Sequence, residues 1–188
     1  MKNIIKLFIT VCFMLLSPVV MAHDNNLSQS LFTGMLHPVL GLDHLIALIL
    51  SGTIIANLKS SQTTATLSII IALAIGASGS VLIGSYEWIQ SAWVEAAIIF
   101  SIPLYMALIW IQKSARTLSI TLMSLFMVAH GWAHGIELSA ASHNMNHLLD
   151  NAGFMFGFLL TCFSIVSLGK VLISLFINSH NRQTHASL

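Results

Sequence analysis

Charge is what this sequence lacks. Of 188 residues, seven are Lys or Arg and six are Asp or Glu, 7% in all, for a net charge of +1. An ordinary soluble domain carries roughly 25%. A soluble enzyme of this size could not cover its surface with so few charges, a disordered chain is polar throughout, and a nucleic-acid binder needs a basic face. Proline is scarce as well, three in the chain, which suits long unbroken helices. Cysteine is limited to Cys12 and Cys162. Cys12 lies in a segment expected to be removed, so the mature chain should hold no internal disulfide and no cysteine-based metal site. No G-x4-G-K-[ST] occurs, which excludes ATP hydrolysis through a P-loop, and no C-x-x-C-H occurs, which excludes covalent haem. What fills the chain is apolar: 56% of it is hydrophobic, the composition of an integral membrane protein whose constant partner is the lipid bilayer.

The amino end has the pattern of a secretory signal. Lys2 and Lys6 precede an apolar stretch from Leu7 to Leu16, Pro18 breaks it, and Val20-Met21-Ala22 offers a small-residue cleavage site. Cleavage after Ala22 makes 1–22 a signal peptide, begins the mature chain at His23 and puts its amino terminus outside the cytoplasm. An uncleaved first membrane helix is the alternative.

A helical span needs about 20 apolar residues. Five such stretches follow: Pro38 to Ala56, Ala65 to Gly84, Trp93 to Ile111, Leu118 to Glu137, and Ala152 to Leu172 with a helical continuation to Ile177. None alternates with period two, which argues against a β-barrel. The expected fold is therefore all-α: a polytopic membrane bundle of about five transmembrane helices over 23–178, with a polar cytoplasmic tail at 179–188. Lys59, Lys113, Arg116, Lys170 and Arg182 all fall on one side of this arrangement, and the positive-inside rule makes that side the cytoplasm. The orientation agrees with the amino terminus outside the cytoplasm that signal cleavage implies. In the second span Ala72, Gly76, Ser80 and Gly84 recur every four residues, a stripe that lets another helix come close. The number of chains in the assembly is left open.

Ionisable groups within a membrane are costly and usually functional, and here they are grouped. His37-Pro38-Val39-Leu40-Gly41-Leu42-Asp43-His44 opens the first span. Pro38 suits a first helical turn, which puts His37 at the mouth and Asp43 and His44 about 9–10 Å deeper, with His37 and His44 sharing a face. In the fourth span His130-Gly131-Trp132-Ala133-His134-Gly135-Ile136-Glu137 sets His130, His134 and Glu137 on one helix face, the spacing by which helices present metal ligands. Glu95 stands at the outer end of the third span. Imidazoles and carboxylates from separate helices would thus share the outer third of the membrane. Such a donor set, without thiolate, suits a borderline divalent metal such as nickel, cobalt or zinc over copper(I) or calcium. Asp43 could instead orient His44, and Glu95 could simply lie at the interface. The spacing His-x3-His-x2-carboxylate recurs in an external loop at His143, His147 and Asp150, as a collecting vestibule or by coincidence, and His23 offers an amine beside its imidazole.

At these motifs the chain resembles the hydrogenase/urease accessory nickel permease family, HupE/UreJ. The resemblance rests on HPVLGLDH at 37–44 and HGWAHGIE at 130–137, with looser matches at Val94-Glu95 and Gly157-Phe158-Leu159-Leu160. It implies a small helical bundle with a removed signal that carries nickel or cobalt into bacteria, and metal-site residues at His37, Asp43, His44, Glu95, His130, His134 and Glu137. Many relatives carry a His in the last span; the aligned position here is Val166.

The expected function is a secondary permease that moves a divalent ion, nickel or cobalt, from periplasm to cytoplasm for metalloenzyme maturation. The ion is substrate rather than resident cofactor, and no enzyme activity is expected. Two other readings stand beside it. Gly76-Ala77-Ser78-Gly79 has the form found around the serine of rhomboid-type intramembrane proteases, and paired His could hold non-covalent haem.

Overall fold

The computed structural model describes residues 31–58, 60–83, 91–111, 116–141 and 148–186. The expected signal segment, with Cys12 and His23, lies outside them, as do Lys59, Gly84, Glu87, Lys113, His143 and His147. The described residues form six helices and no strand: α1 (Leu31–Leu40), α2 (Leu42–Ala56), α3 (Gln62–Ile83), α4 (Ser91–Ile111), α5 (Arg116–Ala141) and α6 (Leu148–Ala186).

Among the described residues three stretches are long and apolar enough to cross a membrane, Gln62–Ile83, Trp93–Ile111 and Asn151–Phe176; a fourth results if α1 and α2 together make one broken span. These coincide with the expected second, third and fifth spans. The 26-residue α5 is not among them by composition. Its imidazoles lower its hydropathy, yet it packs lengthwise against α3. The outward faces are apolar, with Leu67, Ile71, Ile75 and Leu82 of α3 and Phe156 and Phe163 of α6 exposed. That is the surface a protein turns to lipid, and it identifies a multi-pass membrane protein.

The first expected span is corrected. It is not one straight helix opened by Pro38. Pro38 lies inside α1, near its end, and the chain bends by 80° between α1 and α2. Proline lacks the N–H that would close onto the Gly34 carbonyl, which weakens the helix there. Gly41 then leaves the helical region (φ −78°, ψ 102°). Its N–H still closes α1 on the His37 carbonyl at 3.2 Å, and its own carbonyl starts α2 by accepting from Leu45 N–H at 2.9 Å. These two bonds join the end of one helix to the start of the next through a single residue. The last helix is longer than expected and continues to Ala186, through most of the segment read as a tail.

Small residues bring the helices together. Ala72, Gly76 and Ser80 are all buried on α3 and face α5. A Cβ added to Gly76 would collide with the Val128 carbonyl, one on Gly131 with the Leu73 carbonyl, and one on Gly135 with Ser80 Oγ and the Ala77 carbonyl. α6 is seated in the same way, with Gly34 of α1 against the Phe154 carbonyl, Gly157 of α6 against the Leu31 carbonyl and Gly52 of α2 against the Val166 carbonyl. At the end bearing the basic loops, Arg116 donates to Ser60 Oγ at 2.6 Å and also to Ser61 Oγ, tying the start of α5 to the turn between α2 and α3.

Candidate metal centre

The repeated His-Gly step in α5 determines which way its imidazoles face. Successive helix positions are about 100° apart. With Gly131 and Gly135 pressed on α3, His130 and His134 are rotated toward the other side, where α1, α2 and α6 stand. Both are 1% exposed. His37 reaches them from the last turn of α1 and His44 from the first turn of α2. His44 lies 4.5 Å from His134 and 5.2 Å from His130, and His37 lies 4.6 Å from His134 and 6.5 Å from His44, between ring centroids. Four rings from three helices therefore form one cluster, roughly 21–27 Å along α5 from Arg116. The two motifs meet, although through a bent chain: His37 and His44 are neighbours across the 80° corner rather than along one helix face.

Gly41 has a local reason to lack a side chain. A Cβ there would come within 3.0 Å of His44 Nδ1 and 3.5 Å of Asp43 Oδ1, because these two fold back over it. His44 Nδ1 and Asp43 Oδ1 are 3.0 Å apart, with the side chains 14% and 30% exposed. A carboxylate only accepts, so Nδ1 carries the proton and Nε2 of a neutral ring keeps its lone pair. The same deduction holds for His130, whose Nδ1 lies 2.9 Å from the Phe126 carbonyl. His44 Nε2 and His130 Nε2 are both buried without a hydrogen-bond partner. Two lone pairs thus face a low-dielectric space with nothing to stabilise them, a costly arrangement unless something positive comes to it.

Pro38, Leu48, Leu73, Phe158 and Cys162 line that space together with His44, His130 and His134, with no room for a water molecule between them. Phe158 packs on His134 with the rings tilted by 54° and 4.3 Å between centroids, and Phe154 stands 5.8 Å from His37. Among the described residues, no three His, Cys, Asp or Glu converge closely enough to hold an ion as they stand; the rings meet by edges and faces, and ligation requires them to turn. Glu95 is half-buried on α4 beside Val94, which packs with Ile98 against Ala133 and Trp132 of α5. It is at the level of the cluster but not among the residues lining the cleft. Glu137 and Asp150 lie on α5 and α6, and their side chains fall outside the described residues.

Sequence reasoning set sulfur aside, yet Cys162, a free and buried cysteine, is part of the wall. A lone cysteine in an apolar span carries no polar signal, and it reaches the cleft because α6 packs on α1, α2 and α3. Val166 is fully buried in the core, so its position contributes apolar packing. Ser78 is exposed on the face of α3 that carries Ile71, Ile75 and Leu82, while Gly76, Ala77 and Ser80 face α5. The serine thus points away from both imidazoles that could have acted as its base.

The family model described as HupE / UreJ protein matches residues 11–187, nearly the whole chain. No curated protein and no solved structure matches it.

Proposed function

The chain belongs to the HupE/UreJ family, which is associated with nickel and cobalt transport, and from that premise we propose that it is a secondary permease carrying Ni²⁺ or Co²⁺ from the periplasm to the cytoplasm of a bacterium. The observation that carries the proposal is the buried pair of unpartnered Nε2 atoms on His44 and His130, within a cluster to which His37 and His134 also belong. Imidazole suits borderline divalent metals, and a neutral ring whose Nδ1–H is held by an oxygen is oriented to ligate through Nε2.

In this reading the ion sheds water as it enters, and the rings of His37, His44, His130 and His134 turn their nitrogens toward it. Asp43 holds His44 in its ligating tautomer and adds negative charge at the mouth. Glu95 and Glu137 contribute the outer carboxylates. Beyond the cluster the core is mostly apolar, with Met123 and Met127 on α5 and Val166 on α6 fully buried, and the hydroxyls of Ser51 and Tyr105 there donate to backbone carbonyls. A path with weak binding below a strong site lets the ion leave. The membrane potential supplies about 2.3 kcal/mol per charge per 100 mV, about twice that for a divalent ion. The basic end, with Arg116 and its serine partners, faces the cytoplasm by the positive-inside rule, so the cluster opens toward the periplasm. The delivered metal supplies metalloenzyme maturation.

The serine-protease reading loses its geometry with Ser78 turned outward, and a cleft without room for water does not accept a porphyrin. The deciding experiment is uptake of radioactive nickel and cobalt by cells expressing the chain, set against cells expressing His44→Ala at equal protein level. Accumulation that is metal-specific and lost in the variant supports the permease; equal accumulation in both refutes the assigned site.

A further inference from the structure

We propose that Cys162 is a sulfur donor on the cation path, meeting the ion together with His130 at the end of the imidazole cluster nearer Arg116. The inference rests on the permease reading and adds to it the chemical type of the donor that selects the metal.

Two observations carry it independently. The first is register. α5 and α6 run antiparallel, and Phe158 packs on His134 at 4.3 Å between centroids. One helical turn from that contact toward the Arg116 end stands His130 on α5; one turn the same way on α6 stands Cys162. Both line the cleft with His44 and His134, and both are 1% exposed. The second is the state of His130. Its Nδ1 is engaged by the Phe126 carbonyl one turn back, so its Nε2 faces the opposite way, and that atom has no partner. A thiol and an unpartnered imidazole nitrogen therefore share one wall of a dry cleft.

A free buried cysteine often serves as a small hydrophobe. What sets this one apart is its company. Sulfur beside imidazole favours nickel, cobalt or zinc over magnesium and calcium, which take oxygen ligands and keep their water. Such a donor placed after the outer rings lets the ion exchange oxygen for nitrogen and then for sulfur as it moves inward. On coordination the S–H bond gives way to a metal–sulfur bond, and the proton leaves on a water from the ion's own hydration shell.

The test is optical and uses Co²⁺ as the probe. The purified full chain, carrying Cys12→Ser so that Cys162 is the one thiol, is titrated with cobalt beside Cys162→Ser and Cys162→Ala in the same background. The Ser variant keeps the shape and the Ala variant the apolar packing, so at least one retains the fold, checked by an unchanged melting temperature. The expected result is visible d–d bands together with a near-ultraviolet sulfur-to-cobalt charge-transfer band in the parent. In the variants the charge-transfer band disappears, weaker d–d bands remain, and cobalt affinity falls about tenfold or more. Visible bands without a charge-transfer band in the parent, or a band that survives in both variants, overturns the role of Cys162 while leaving the imidazole site standing. No cobalt bands in any form would overturn the permease reading and this inference with it.

Discussion

His44 and His130 meet across the cleft with 5.2 Å between ring centroids and 85° between ring planes, each with Nδ1 already held by an oxygen and Nε2 unpartnered. They come from helices far apart in sequence, and neither can satisfy the other, since both present lone pairs. An ion between them resolves the conflict, so they act as one unit. Groups that act as a unit are not additive. His44→Ala and His130→Ala should each bring nickel and cobalt accumulation close to that of cells lacking the protein, and the double variant should be little worse than either single one. Uptake assays at matched protein level check this; two losses that multiply would mean two separate sites.

Asp43 acts on the ion through His44, by the 3.0 Å contact to Nδ1. Partners of this kind typically alter metal affinity by about 10–100-fold. Asp43→Ala is expected to weaken cobalt binding by about that factor. Asp43→Asn, whose amide oxygen can still accept from Nδ1–H, should lie between it and the parent. Titration of the purified protein with cobalt, read by absorbance, separates the three.

Helix approach sets where the imidazoles sit. At Gly131 an added Cβ would meet backbone, the Leu73 carbonyl, whereas at Gly153 the nearest atom, Leu31 N, is 3.5 Å away, an ordinary contact. Gly131→Ala should therefore push α5 off α3, cost about 1–3 kcal/mol as overpacking, and lower the melting temperature in detergent. Gly153→Ala should be near neutral. Melting curves of both variants decide it, and an intolerant position 153 beside a tolerant 131 would contradict the packing described.

Gly41 provides space for a side-chain pair rather than an unusual backbone. Its φ of −78° is open to any residue, but a methyl group would press on His44 Nδ1 at 3.0 Å. Alanine also favours the straight helix that the corner interrupts. Gly41→Ala should leave the protein folded and inserted while sharply reducing metal accumulation, measured with the same uptake assay and a membrane-fraction blot.

These positions show where the sequence could be read and where it could not. The small-residue stripe on α3 was legible because Ala72, Gly76 and Ser80 repeat at helical spacing, and the structure buries all three against α5. The His motifs were legible because polar groups are expensive in an apolar chain. The corner between α1 and α2 was not: Pro38 reads as a helix start, yet it lies inside α1, and the backbone leaves the helical region three residues later, at Gly41. His37 and His44 therefore face each other across the corner, 6.5 Å apart between ring centroids, rather than along one helix face. Cys162 was missed for the opposite reason. It is chemically quiet in its own helix, and only its alignment with His130 gives it a setting, which one strand of sequence does not reveal.

Direction of transport depends on which end of the bundle faces inward. Arg116 donates to Ser60 Oγ, Ser60 is exposed, and the imidazole cluster lies roughly 21–27 Å away along α5. With the basic end in the cytoplasm, Ser60→Cys in a Cys12→Ser background should react with a membrane-impermeant maleimide in inside-out vesicles and stay unmodified in intact spheroplasts. Cys162, 1% exposed, is silent in both. Each basic residue near the surface contributes about 1 kcal/mol toward the anionic cytoplasmic leaflet, so Arg116, with Lys59 and Lys113 in loops expected on the same side, makes the opposite insertion costly. Labelling from outside the cell would invert the molecule, turn the mouth of the cluster toward the cytoplasm, and convert the proposed importer into a protein that receives its ion from within.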